Sequence, residues 1–201
     1  MALLGAKDLI VAVATAPGVG AIAIVRMSGA GSHSAAHRIF RHGGGRDEPG
    51  LLNLGTMMNP ETRAVIDRCL AVRWEAPRSY TGEDMVEFHV HGSPAVCDAA
   101  VQACIAAGAR IAEPGEFTRR AFLNGKIDLA QAEAVSDLTR AQTEEARRTA
   151  VLQLRGGLSD RLAQIRERLV ATTAEIEARL DFPEEDLPAE SRAALLANLS
   201  D

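Results

Sequence analysis

The feature that most constrains this chain is a change of periodicity across residues 114–135. Upstream, Gly and Pro punctuate short apolar runs of strand length, and downstream an almost unbroken helical pattern continues to about Leu180. Such a chain folds as a sheet-bearing part followed by a helical part. Within the seam, Pro114 and Gly115 end what precedes, Glu116 to Asn124 can wind about two helical turns, and Gly125 supplies the left-handed residue that closes a helix. Asp128 and Gln131 have the spacing of a capping box that starts the next helix. Lys126 therefore projects from a junction capped on both sides. We expect a division at 118/119, with residues 1–118 as one domain and 119–201 as the first part of a helical bundle.

Leu9 to Ala14 and Ala21 to Met27 read as two buried strands around a turn, Ala16-Pro17-Gly18-Val19-Gly20. Arg26 interrupts the second run near its end, either as a surface residue with its stem along the sheet or as a cation aimed into a pocket. Ser32 to Phe40 suits a short helix capped by Ser32. Its His33 and His37 have an i, i+4 spacing that nothing nearby completes, so they read as a solvated face. Leu51 to Met58 and Val65 to Trp74 form a hairpin around Asn59-Pro60-Glu61-Thr62. In Met85 to His91, Val86, Phe88 and Val90 alternate with Glu87, His89 and His91, so three polar groups share one face. That face is a ligand pocket, a solvated sheet surface or a Glu-x-His-x-His metal ladder. Ser93 and Pro94 then open an Ala-rich helix, and Ala109 to Ala112 is a short strand. About five strands with two interleaved helices make an α+β fold with a mixed sheet.

Beyond the seam, Leu129 to Ala141 is one helix and Thr143 caps a second. The second carries Val151, Leu154, Leu158, Leu162, Ile165, Leu169, Ile176 and Leu180 as an apolar stripe. Gly156-Gly157 falls inside that stripe, which we read as a close approach by a neighbouring helix. A further amphipathic piece spans Ser191 to Leu199.

Composition narrows the function classes. A net charge of -5 argues against a broad nucleic-acid surface, leaving at most a local basic patch such as Arg119, Arg120 and Lys126. Aromatic residues make up only 3%, too few for a base-stacking platform. The three cysteines, Cys69, Cys97 and Cys104, have no CxxC spacing and read as small buried hydrophobes, so neither a disulfide framework nor a structural metal site is expected. With no signal peptide or membrane-length apolar run in view, a cytoplasmic address is expected. Gly43-Gly44-Gly45 lacks the lysine and hydroxyl of a phosphate-binding loop.

Four blocks carry a resemblance: Ile10-Val11-Ala12 through Ala16-Pro17-Gly18 to Arg26-Met27-Ser28-Gly29; Ser79-Tyr80-Thr81-Gly82-Glu83-Asp84 with Glu87 and His91-Gly92; residues 114–135; and Leu180-Asp181-Phe182-Pro183-Glu184-Glu185. Together they resemble the MnmE/TrmE tRNA-modification GTPase family. The resemblance implies a tetrahydrofolate-binding-domain-like fold that binds 5-formyl-tetrahydrofolate and forms the homodimer, with folate contacts falling on Arg26, Glu87 and Lys126. It also implies a partner, MnmG, that brings FAD, and the wobble uridine (U34) of tRNA as the ultimate substrate. The family's GTPase domain, with its GTP, Mg and K, would lie beyond this chain, which has no Gly-x-x-x-x-Gly-Lys-Ser/Thr. We therefore expect neither GTP binding nor catalytic residues here. At the first turn, relatives commonly carry Gly-Arg-Gly-Gly, where Val19 takes the Arg position and Ala21 a Gly position. A function of another class fits the same residues: a dimerisation scaffold whose folate site is vestigial.

Overall fold

A computed structural model describes residues 8–44 and 47–181, the side chains of Asp160 and Arg179 excepted. The described residues through Ile127 form one compact unit and those from Asp128 another.

In the first unit, β1 (Ile10–Val13) and β2 (Ile22–Ser28) pair antiparallel, with Ile10 opposite Ser28. The turn between them is tied down by the Gly20 N–H, which donates to the Gly92 carbonyl at 2.8 Å. On the other side of β2 lies β6 (Met85–His91), antiparallel, with Arg26 opposite Glu87. The predicted hairpin is β4 (Leu52–Met58) with β5 (Val65–Trp74). Its turn is set by Asn59, whose Oδ1 accepts from the N–H groups of Glu61 and Thr62 at 2.9 Å each. Two short edge strands complete the sheet, β3 (Phe40–His42) beside β4 and β7 (Arg110–Ile111) parallel to β1. Among the described residues the order is β3-β4-β5-β6-β2-β1-β7, a mixed sheet as expected, with seven strands instead of about five. β7 falls within the short strand expected over Ala109 to Ala112, whereas the three residues of β3 are too few to write a period into a sequence.

Helices α1 (Ser32–Ile39) and α2 (Pro94–Ala106) cover one sheet face. There Val25, Met27, Val86, Phe88 and Val90 are at most 2% exposed, and each contributes about 1.5–3 kcal/mol by leaving water. The expected Ser32 cap is not formed. Gly31, at φ 84°, occupies the cap, and Ser32 is drawn into the first turn with a buried hydroxyl. The chain leaves β2 through a sharp left-handed turn that only the glycine makes cheaply. Burial pushes the thiols of Cys69 and Cys104 up to about 12, with the Asp67 charge adding to the effect at Cys69, so both are inert apolar fillers.

Helix α3 (Glu116–Leu123) lies wholly in the first unit, whereas our division at 118/119 would cut through it. The second unit begins with α4 (Leu129–Arg140), whose capping box forms as expected: Gln131 N–H donates to Asp128 Oδ1 at 2.8 Å, and Asp128 N–H donates to Gln131 Oε1 at 2.9 Å. Helix α5 (Glu144–Leu154) is capped by Thr143, which accepts from the Ala146 N–H. The expected continuous helix to Leu180 is broken. Gly156 takes φ 88° and α6 (Gly157–Asp181) starts afresh. A Cβ at Gly156 would lie 3.8 Å from Gln131 Nε2, an ordinary contact, so its backbone angle and not close helix packing demands the glycine. Gln131 Nε2 donates to the Leu154 carbonyl at 2.9 Å, fastening α4 to the end of α5. Small residues let these helices approach, Ala134 and Ala150 being fully buried, while Leu162, Ile165, Leu169, Ile176 and Leu180 of α6 remain exposed. The amphipathic piece at 191–199 lies outside the described residues.

Candidate functional site

The sheet face opposite α1 and α2 gathers Arg26, Glu87 and Trp74 by register. Because Arg26 and Glu87 are directly cross-strand, their side chains project on the same side. Arg26 Nε donates to Glu87 Oε1 at 2.7 Å, and its terminal Nη2 lies at the same distance from that oxygen. The pair is only partly covered, 23% of the Arg26 side chain and 12% of the Glu87 side chain remaining exposed. From β5, Val72 lies opposite Glu87, so Trp74 two residues on shares its face. The indole N–H donates to Glu87 Oε2 at 3.4 Å, a long bond that leaves this oxygen acceptor capacity.

The loop from Glu75 to Asp84 and helix α3 build the wall. Arg26 Cζ sits 5.1 Å from the Tyr80 ring centroid and 5.6 Å from that of Phe117, a guanidinium between two aromatic faces. Tyr80 Oη shares a 2.9 Å hydrogen bond with Thr118 Oγ1, and Asn124 Nδ2 donates to the Thr81 carbonyl at 2.7 Å. Gly82, at φ 77°, is where loop and seam touch: a Cβ there would stand 3.0 Å from Lys126 Cγ.

Arg26 and Glu87, predicted from separate parts of the chain, are thus in contact. Lys126 is exposed and donates from Nζ to the Pro77 carbonyl at 2.9 Å; among the described residues no hydrogen bond or ion pair joins it to Arg26 or Glu87. It reaches the same loop that carries Tyr80. The Glu-x-His-x-His ladder does not converge on a point. His91 turns to Asp67, its backbone N–H and Nδ1 each 2.8 Å from a carboxylate oxygen, while His89 Nε2 is buried without a partner. Burial raises the Asp67 carboxyl, but the backbone and side-chain hydrogen bonds from His91 outweigh it and leave the group below its ordinary value.

The basic patch at Arg119, Arg120 and Lys126 is not available as such. Arg120 is 5% exposed and pairs with Asp8 at 2.7 Å, Glu116 at 2.9 Å and Glu83 at 3.2 Å, and Arg119 pairs with Glu113 at 3.0 Å. Glu83 also accepts from Ser28 Oγ at 2.9 Å, so one buried network locks the loop at 79–84 to β2 and α3. The Arg110 guanidinium, with help from the Glu113 N–H and Arg120, overcomes burial and holds Glu116 down at about 2. Sequence reading missed Trp74 and Phe117 as site residues. The only signal for either was position, at a strand end and in the first turn of a short helix.

Comparison with known proteins gives two family models in chain order. The description "GTP-binding protein TrmE N-terminus" matches residues 9–126, and "MnmE helical domain" matches 129–201. The chain is 50% identical over 185 residues to the tRNA modification GTPase MnmE of Heliobacterium modesticaldum, an alignment covering 90% of this chain and 40% of the relative. It is 50% identical over 183 residues to that of Thermus thermophilus, covering 89% and 42%, and 49% identical over 191 residues to that of Chlorobaculum tepidum, covering 92% and 40%. The chain thus spans about two fifths of the length of these curated relatives.

Proposed function

The chain belongs to the family of the tRNA modification GTPase MnmE (TrmE), and on that premise we propose that its first unit binds a reduced folate of the 5-formyl-tetrahydrofolate type as one-carbon donor for modification of the tRNA wobble uridine. The observation that carries this reading is the half-open Arg26–Glu87 pair beside Trp74, Tyr80 and Phe117. The donor set suits the ligand. A pterin edge offers an amino group and a neighbouring N–H, which one carboxylate accepts as a fork, and Glu87 retains an oxygen bound only by a long indole bond. Arg26 supplies a planar cation for a carbonyl, a formyl oxygen or a carboxylate tail. Lys126, exposed at the loop edge, supplies a second cation for the anionic part of the ligand. The bound folate would contribute the one-carbon unit; the residues of this chain orient it and fix its ring edge.

Homodimerisation through the same unit is part of the reading, supported by Val13, Ile22 and Ile111, apolar side chains left 37%, 61% and 61% exposed on β1, β2 and β7. No described helix is long and apolar enough to cross a membrane. A cytoplasmic address, a flavin-bearing MnmG partner and the tRNA substrate follow from the family premise. GTP binding and hydrolysis are assigned to no residue of this chain, whose 201 residues lack a phosphate-binding loop motif.

Equilibrium dialysis of the chain against 5-formyl-tetrahydrofolate tests the folate reading, with saturable binding expected for the native protein and none for a folded Glu87→Ala variant. Absence of binding by native, dimeric protein would instead favour the scaffold with a vestigial site.

A further inference from the structure

The α1 side of the sheet carries a second constellation that the folate reading does not use. His37 stands in the last turn of α1, His42 ends β3, and Asp47 lies five residues further on, beyond the glycines that follow that strand. His37 Nε2 is 3.9 Å from Asp47 Oδ2 and His42 Nε2 is 4.0 Å from Asp47 Oδ1, and one ligand atom from each of the three residues falls within 4.8 Å of the others. Among the described residues this is the only group of three such side chains so placed.

We propose that His37, His42 and Asp47 bind a divalent first-row transition metal, with two imidazoles and one carboxylate as ligands and solvent in the remaining positions. Two nitrogen donors select zinc, cobalt or nickel over magnesium and calcium, which demand an oxygen shell. Ligand bonds of about 2.0–2.2 Å place tetrahedral donors roughly 3.3–3.5 Å apart, so the pairs at 3.9 and 4.0 Å must close by about half an ångström. The exposed His37 ring, 56% accessible, is free to do so.

The surroundings orient the ligands. The Phe40 ring meets His42 edge-on at 5.2 Å and fixes its plane. Arg73 of β5 donates to the Asp47 carbonyl at 2.9 Å, and its Nε stands 3.5 Å from Oδ1, so the main chain of Asp47 is gripped and its carboxylate held toward the imidazoles. Sharing that carboxylate with a guanidinium lowers metal affinity below that of a dedicated site. His42 Nδ1 is buried without a hydrogen-bond partner on the edge of the same constellation. The ordered sequence His-x-x-x-x-His-x-x-x-x-Asp escaped notice because β3 was not foreseen, and His37 was paired with its helical neighbour His33 instead. His33 is engaged elsewhere, its Nε2 3.1 Å from the Trp74 carbonyl.

Cobalt(II) titrated into the full chain tests the proposal through its visible absorption. The expected result is one equivalent with the intense bands of a four- or five-coordinate nitrogen–oxygen site, displaced by zinc. His37→Ala, at an exposed helix position, and Asp47→Asn should each weaken binding about tenfold or more, with circular dichroism confirming the fold, whereas His33→Ala should leave it unchanged. Bands that survive both ligand substitutions, loss of binding in His33→Ala alone, or no cobalt band at all would overturn it.

Discussion

The two faces of the sheet are built from alternate residues of the same strands, and they have opposite characters. On β6, Val86, Phe88 and Val90 face α1 and α2 and are lost to water, while Glu87 on the other side meets Arg26 and the Trp74 indole. On β2, Met27 is core and its neighbour Arg26 is half-open. A strand with a period of two thus holds its scaffold and its chemistry in register, and the rigidity of one face positions the other. Substitutions on the helix face should act on folding, and those on the open face on binding.

The largest effect is expected from Phe88→Ala. It empties a fully buried site in the core and should cost about 3–5 kcal/mol in urea denaturation, followed by fluorescence of Trp74, the chain's single tryptophan. Should binding fall while stability holds, the division between faces would be wrong. Next is acid. Glu116 has its pKa depressed from 4.5 to about 2, chiefly by Arg110, so the stability it contributes is present above pH 4.5 and is lost as pH falls toward 2. For this 2% exposed group the displacement corresponds to about 3 kcal/mol, and Glu116→Gln should flatten the acid limb of the unfolding profile in that window. Gly82→Ala forces a side chain into a left-handed conformation against Lys126 and Asn124. It should cost about 1–2 kcal/mol and weaken folate binding by loosening Tyr80. Smallest is Trp74→Phe, which removes one long hydrogen bond but keeps a ring. Dialysis should show folate affinity falling a few-fold, with the urea midpoint, followed here by circular dichroism, nearly unmoved.

Single residues of this site were legible where local pattern dictates them. Alternation put Glu87 on a polar face, a lone charge in an apolar run marked Arg26, and the caps at Gly125 and Asp128 marked Lys126. What joins Arg26 to Glu87 was not legible, because the register that sets them against each other is a contact between residues 61 apart, and no local period encodes it. The same holds for Arg120, which reads as a surface cation and proves to be the buried centre of a network reaching Asp8, 112 residues away. In the helical unit the error was of another kind. The apolar phase continues across Gly156 although the helix does not, since the left-handed backbone there interrupts hydrogen bonding without disturbing the stripe.

If the open face is the proposed reduced-folate site organised on Glu87, Trp74 reports directly on it, because its indole N–H lies against that carboxylate. Titration of the chain with 5-formyl-tetrahydrofolate should give a saturable change in tryptophan fluorescence, with one site per chain, and the change should vanish in a folded Glu87→Ala variant. Saturable folate binding that leaves Trp74 unmoved, or that persists in Glu87→Ala, would contradict it.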